Sequence, residues 1–328
     1  MVRKRAFSTT SLVASAILAA LAAAPGSGKA ADEMSVRYAA MPLLSQAPVL
    51  IAKQKGLFAA EGVNVTLLKV NSGAQGLEAV MAGSADAAHI SDTPLIYAAS
   101  NGLKIKVVAD NGLISKDNTQ AAILVKADSD IHSLADLKNK KIACLPPGTI
   151  TDVQLKGLIL PRLGLTPGSD VSVVPAGFPD MPGLLRAGTV DAVLENEPFV
   201  TTMLKQGGFR VLSNLSDFIP SNGSYLSMIT FRDDFLSSHA ETVRHFLRAY
   251  VKAVDIYTHD KEARIAALSE WTKIPRDVLE NVPPLKIAAD AKINADALPP
   301  VVQTLLKLNY IKKPVDILPY VDNGYLPK

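Results

Sequence analysis

Four short polar segments stand where chemistry could be done: Asn71-Ser72-Gly73-Ala74, Ser91-Asp92-Thr93, Gly148-Thr149-Ile150-Thr151 and Glu195-Asn196-Glu197. Each joins the end of an apolar run that reads as a strand to the start of a helical pattern. The first N–H groups of a helix have no partner inside the helix, so a junction with flanking hydroxyls can hold a polar or anionic group. Ser, Thr and Asp at the same place are also ordinary N-caps, worth about 1 kcal/mol, and the residue types alone leave both roles open. The candidate ligand contacts are Gln46, Ser72, Gly73, Ser91, Asp92, Thr93, Gly148, Thr149, Thr151 and Glu197. Pro147–Thr151 is the strongest single segment, because Gly148 permits close backbone approach while Thr149 and Thr151 supply hydroxyls. Met41, Phe178 and Tyr225 are candidates for an apolar wall.

Other chemistries lack their residues. The chain has no Gly-x-Ser-x-Gly, no Walker-type loop, no His-Glu-x-x-His and no dinucleotide fingerprint. Of five histidines, only His89 ends an apolar run, beside Ser91 and Asp92, and no Cys, His or paired carboxylate accompanies it at useful spacing. A structural role is expected for it. Cys144 is the sole cysteine, which excludes an intramolecular disulfide and a Cys-rich metal site. Its setting, Lys141-Ile142-Ala143-Cys144-Leu145, reads as a buried strand rather than a reactive thiol. No metal, cofactor or enzymatic activity is expected.

The elements that must position these segments alternate. Strands are predicted over 35–41, 63–70, 85–90 and 104–112, with helices over 47–58, 74–82 and 93–100; Gly56, Gly83 and Gly102 mark the helix stops. A second series runs from a strand at 141–145 through 171–175, 191–194 and 209–212, with intervening helices over 152–163, 182–187 and 198–206. A polar stretch over 213–224 then precedes a strand at 225–231 and a mostly helical ending. This alternation predicts an α/β fold whose sheets are largely parallel. A mature chain of roughly 300 residues exceeds one hydrophobic core. The expected lobes are residues 32–125 plus 225–328, and 126–224. In open α/β sheets ligands bind outside the carboxyl ends of strands, so the four segments could converge on one cleft between lobes.

Arg3, Lys4 and Arg5, the apolar run Leu12–Ala24 and the small-residue end at Gly28-Lys29-Ala30 read as a secretory signal over residues 1–30. The apolar run is well short of the roughly 20 residues that span a bilayer. Residues 1–30 hold four basic side chains and no acidic one, so 34 basic and 31 acidic residues become 30 and 31 after removal. No net field remains to attract nucleic acid or an anionic membrane. A periplasmic monomer without a stable membrane anchor is expected, since no cysteine near the cleavage region could carry lipid.

The order of segments resembles the extracytoplasmic solute-binding proteins of nitrate, sulfonate and taurine importers, which share a fold with thiamine-pyrimidine precursor proteins. The carriers are Pro48–Phe58 with Glu61-Gly62, Gly83-Ser84-Ala85-Asp86, Leu134–Lys138 ahead of Lys141-Ile142, and Gly188–Ala192 with Glu197-Pro198. The resemblance implies two lobes closing on a small polar ligand and delivery to the membrane permease of an ABC importer. It also admits a heteroaromatic or cationic ligand such as a pyrimidine precursor, an enzyme of pyrimidine synthesis on the same fold, and a sensor subunit. Two departures bear on the ligand: Asn196 stands where many relatives have an aromatic residue, and Asp152 ends the Gly148 segment. Asp92, Asp152 and Glu197 would repel a dianion if they faced the cleft unpaired.

Overall fold

A computed structural model describes residues 34–70 and 72–328; the signal segment at 1–30 and Asn71 lie outside the described residues. Twelve strands are described: β1 (Ser35–Ala40), β2 (Asn64–Lys69), β3 (Ala87–Ile90), β4 (Ile105–Asp110), β5 (Leu113–Ile114), β6 (Ala121–Lys126), β7 (Lys141–Cys144), β8 (Ser172–Pro175), β9 (Ala192–Asn196), β10 (Phe209–Asn214), β11 (Ser224–Tyr225) and β12 (Met228–Arg232). They form two five-stranded sheets, ordered β2-β1-β3-β12-β4 and β10-β6-β9-β7-β8, and a two-stranded ribbon of β5 and β11. In each sheet one strand opposes the rest: β12 is antiparallel to β3 and β4, and β6 to β9 and β10. Both opposed strands follow a passage of the chain between sheets, so the reversal is a consequence of the crossing.

Helices cover both faces of each sheet. On the first, helix Ala240–His259 turns Val243, Phe246, Leu247, Tyr250, Ala253, Val254 and Tyr257 inward, the three-and-four spacing of an amphipathic helix, and packs with helix Ala47–Gln54. The opposite face takes Val80, Leu95, Ile96 and Ala99, and from the C-terminal region Val302 and Leu305. The second sheet lies between Leu155, Ile159 and Leu160 on one side and Met181, Leu185, Val200 and Met203 on the other.

Sheet membership departs from the sequence expectation at one place. Residues 121–126 pair with β9 and β10 and so belong to the second sheet, whereas the expected first lobe ran to residue 125. The change of sheet falls at β5, where Ile114 and Leu113 pair with Ser224 and Tyr225 of β11. The strand expected over 225–231 is broken there, because the Leu226 and Ser227 N–H groups both donate to the Gly112 carbonyl, at 3.0 and 3.1 Å.

Side chains lock this ribbon. Asp110 accepts from Gly112 N at 2.8 Å and from Ala288 N at 2.7 Å; Asn111 Nδ2 donates to Ser227 Oγ at 2.7 Å; Tyr250 Oη lies 2.7 Å from the Asp110 carbonyl. Gly223 enters β11 at φ +85°, where a Cβ would stand 2.7 Å from Leu113 Cδ1 and 2.9 Å from the Ile114 carbonyl. Gly223→Ala combines a left-handed conformation with a backbone clash, so it should cost about 2–4 kcal/mol in urea unfolding. A loss under about 0.5 kcal/mol would mean the ribbon is not rigid.

Candidate functional site

The junctions of the first sheet divide into buried and open groups. Asp92 opens helix Asp92–Ser100 but turns inward: Oδ2 accepts from Ser224 Oγ at 2.7 Å and from Tyr225 N at 3.0 Å, and Oδ1 accepts from Thr93 Oγ1 at 3.2 Å. Burial pushes its pKa up to about 6 against the pull of these donors. Thr93 is likewise buried. Gln46 is fully buried, with Nε2 2.8 Å from His89 Nδ1. Burial holds His89 down to about 4, so it is neutral at neutral pH and serves the core. Ser72, Gly73 and Ser91 stay partly exposed; Ser72 Oγ caps the helix by accepting from Gln75 N at 3.1 Å, and Ser91 makes no side-chain cap bond.

On the second sheet, Thr151 is fully buried and accepts from Leu145 N at 3.3 Å. Gly148 and Thr149 are partly exposed. Gly148 N donates to Asp152 Oδ2 at 2.9 Å, and Thr149 Oγ1 to the Pro146 carbonyl at 2.8 Å. The close approach that Gly148 permits is to Tyr97 of the first lobe, whose Oη would lie 3.0 Å from an added Cβ. Asp152 also accepts from Tyr310 Oη at 2.5 Å and pairs with Lys156 Nζ at 2.5 Å. Glu197 folds back on its own helix, accepting from Thr201 N at 3.1 Å and Thr201 Oγ1 at 3.0 Å, with its pKa raised by burial. In this structure it is a helix-end cap.

Two of the four segments meet directly. Asp92 and Thr93 line one crevice with Ile150, Val153 and Gln154 of the second lobe and Ser224 of the ribbon, a cavity of about 20 Å³. Neither Ser72-Gly73 nor Glu197 lines it. Gln154 is 2 % exposed there with both amide atoms unpartnered. Of the expected apolar wall, Tyr225 is buried and its Oη accepts from Asn294 N at 2.7 Å, while Met41 and Phe178 are partly exposed. Phe178 stacks on Phe199 at 5.4 Å, a partner that sequence reasoning did not single out. Cys144 ends β7 fully buried, its thiol pushed up to about 12 by burial and by Asp152, so it is no nucleophile.

Glu195 lies in one of the four polar segments but is not among the candidate ligand contacts. It is fully buried near the carboxyl end of β9, neither carboxyl oxygen has a hydrogen-bond partner, and burial pushes its pKa up to about 9. The signal was present: an acid in the otherwise apolar run Ala192-Val193-Leu194. A carboxyl whose folded pKa is raised stabilises fully below its unfolded value and loses that contribution as pH climbs through the folded value. Glu195→Gln should therefore be more stable than the parent at pH 8 by a few kcal/mol, on the order of one per pH unit above about 4.5. The two urea curves should converge towards pH 4.5, and a difference independent of pH would show that Glu195 is not a neutral acid.

Residues 29–271 match the NMT1-like family. The chain is 28% identical over 235 residues to the taurine-binding periplasmic protein of Escherichia coli (strain K12), covering 71% of this chain and 68% of that one. The crystal structure of the periplasmic aliphatic sulphonate binding protein SsuA from Escherichia coli superposes with a TM-score of 0.74 at 24% identity, covering 87% and 90%. The alkanesulfonate-binding protein SsuA from Xanthomonas axonopodis pv. citri, bound to MOPS, gives 0.72 at 20% identity, covering 89% and 99%. These likenesses establish the two-lobed periplasmic-binding-protein fold, and the family match over residues 29–271 establishes that the chain belongs to the NMT1-like family.

Proposed function

We propose that this chain is a periplasmic solute-binding protein that captures a small polar solute of the sulfonate, taurine or nitrate type between its lobes. Closure about the β5–β11 ribbon would present the loaded form to the membrane permease of an ABC importer. The taurine-binding relative and the two sulfonate-binding structures support the ligand class. The observation that carries the reading is that the three acids at the junctions are already paired: Asp92 with Ser224 and Tyr225, Asp152 with Gly148 and Lys156, Glu197 with Thr201. Lys156 neutralises Asp152, while Asp92 and Glu197 commit their oxygens to donors within the fold instead of offering them to a cationic ligand. In this reading Ser72, Gly73, Ser91, Gly148 and Thr149 supply the partly exposed hydroxyls and backbone at the helix ends, and the Phe178–Phe199 stack takes the organic part of the ligand.

Glu195 favours a second reading. A buried acid with both oxygens unpartnered would gain a hydrogen bond from the ring N–H or amine of a heteroaromatic or cationic ligand. Thermal and urea unfolding with taurine, short alkanesulfonates, nitrate and aminopyrimidines separates the two readings. A ligand at about 100 times its dissociation constant should add about 2.7 kcal/mol. Stabilisation by the anions supports the first reading; stabilisation by the pyrimidines alone replaces it with the second. Glu197→Gln should leave affinity for the anion within about twofold and cost about 0.5–1.5 kcal/mol of stability, because it weakens a cap and touches no ligand. A tenfold loss of affinity would return Glu197 to the binding site.

A further inference from the structure

A concavity apart from the junctions lies at the free edge of the first sheet, between helices Ala47–Gln54 and Lys261–Thr272. It has a volume of about 410 Å³ and is lined by Leu50, Lys53, Gln54, Leu67, Glu270, Trp271 and Lys273. That volume falls within the range of small-molecule sites, roughly 300–1,000 Å³. Leu50 and Leu67, which pack into the core of the first lobe, give it an apolar base. Trp271 is the only tryptophan in the chain, and its indole is held in place because Nε1 donates to the Met41 carbonyl at 2.8 Å.

The rim is basic. Lys53 and Lys273 line the pocket, and Lys69 Nζ stands 5.9 Å from the Trp271 ring centroid. Lys53 is oriented by donating to the Val65 carbonyl at 2.6 Å. Against these three ammonium groups the lining offers one acid, Glu270, which already accepts from Gln54 Nε2 at 2.6 Å. A fixed indole over an apolar base with a surplus of positive charge suits a flat body carrying a negative group; a cation would meet three like charges. An exposed cation–π contact is weak, so Lys69 can leave the indole and pair with an arriving anion.

We propose that this Trp271 pocket is a second binding site, separate from the interlobe cleft, for flat organic anions of the aryl sulfonate or aryl carboxylate class. It is built from the first lobe alone, so its occupancy needs no lobe closure. The Trp271–Met41 hydrogen bond ties it to the loop that leaves the carboxyl end of β1.

Because Trp271 is the only tryptophan, its fluorescence reports the pocket directly. Titration of the whole protein with 2-naphthalenesulfonate should give a saturable change in Trp271 emission that neutral 2-naphthol does not reproduce. Lys69→Gln combined with Lys273→Gln, both exposed, should weaken the sulfonate by about tenfold or more. Thr149→Asp, which plants a charge at the cleft, should leave the titration midpoint unchanged. An equal response to 2-naphthol, an unchanged midpoint in the double lysine variant, or loss of the signal in Thr149→Asp would each overturn the proposal. Loss of the signal in Thr149→Asp would assign the naphthalenesulfonate to the cleft, whereas the other two outcomes leave taurine and alkanesulfonate binding there untouched, so the two ideas fail separately.

Discussion

The chain passes between the two sheets at a ribbon of two strands with two residues each, and two buried carboxylates hold it. A two-residue pair has too few ladder bonds to be stable alone. Asp92 supplies what is missing on the return strand by accepting from Ser224 and Tyr225, and Asp110 does so on the outgoing side by accepting from Gly112 and Ala288. Both acids have pKa values pushed up to about 6 by burial, because the donors offset only part of the desolvation. Asp92 is also the first residue of a helix whose N-terminus is one of the candidate ligand junctions. One residue thus holds the ribbon and opens a candidate ligand junction, and Ser91 stands next to the bonds that hold the ribbon.

The alternation of elements was legible because burial on both faces of a sheet imposes its own pattern: strands β3 and β4 read as mostly apolar runs, and helix Ala240–His259 as a regular stripe. What local pattern cannot carry is which sheet a strand joins. Ala121–Lys126 is as apolar as β4, and it lies in the second sheet only because the chain has crossed at Leu113-Ile114. The same limit applies to the site. Polar residues gather at strand ends as expected, yet Asp92 is taken by partners 132 and 133 residues away and Gln46 by His89, 43 residues away. Their inward turn follows from tertiary partners that no spacing rule contains. Tyr310, which claims Asp152 across 158 residues, could be found only by folding the C-terminal region back on the second lobe.

That C-terminal region touches the second lobe on two sides, which constrains how the lobes can move. On one side Gly157 lets the helical segment Ile150–Arg162 lie against Thr304, and Tyr310 reaches the buried Asp152. On the other, Lys205 pairs with Asp277 at 2.6 Å, and Gln120 Nε2 donates to the Pro283 and Pro284 carbonyls at 3.2 and 3.1 Å. The contacts differ in strength. Lys205–Asp277 is exposed, and such pairs are worth about 1 kcal/mol or less. Taking Tyr310 from Asp152 gives up a hydrogen bond to a charged group, about 1.5–3 kcal/mol, and forces a buried carboxylate to find another donor. On the Lys205 side the ion pair is easily broken, but the buried Gln120 amide would also lose its two proline carbonyls, so both sides tie the C-terminal region to the second lobe. Gly148 lies close against Tyr97 on the Tyr310 side, so the helix end at Thr149 is registered with the first lobe there.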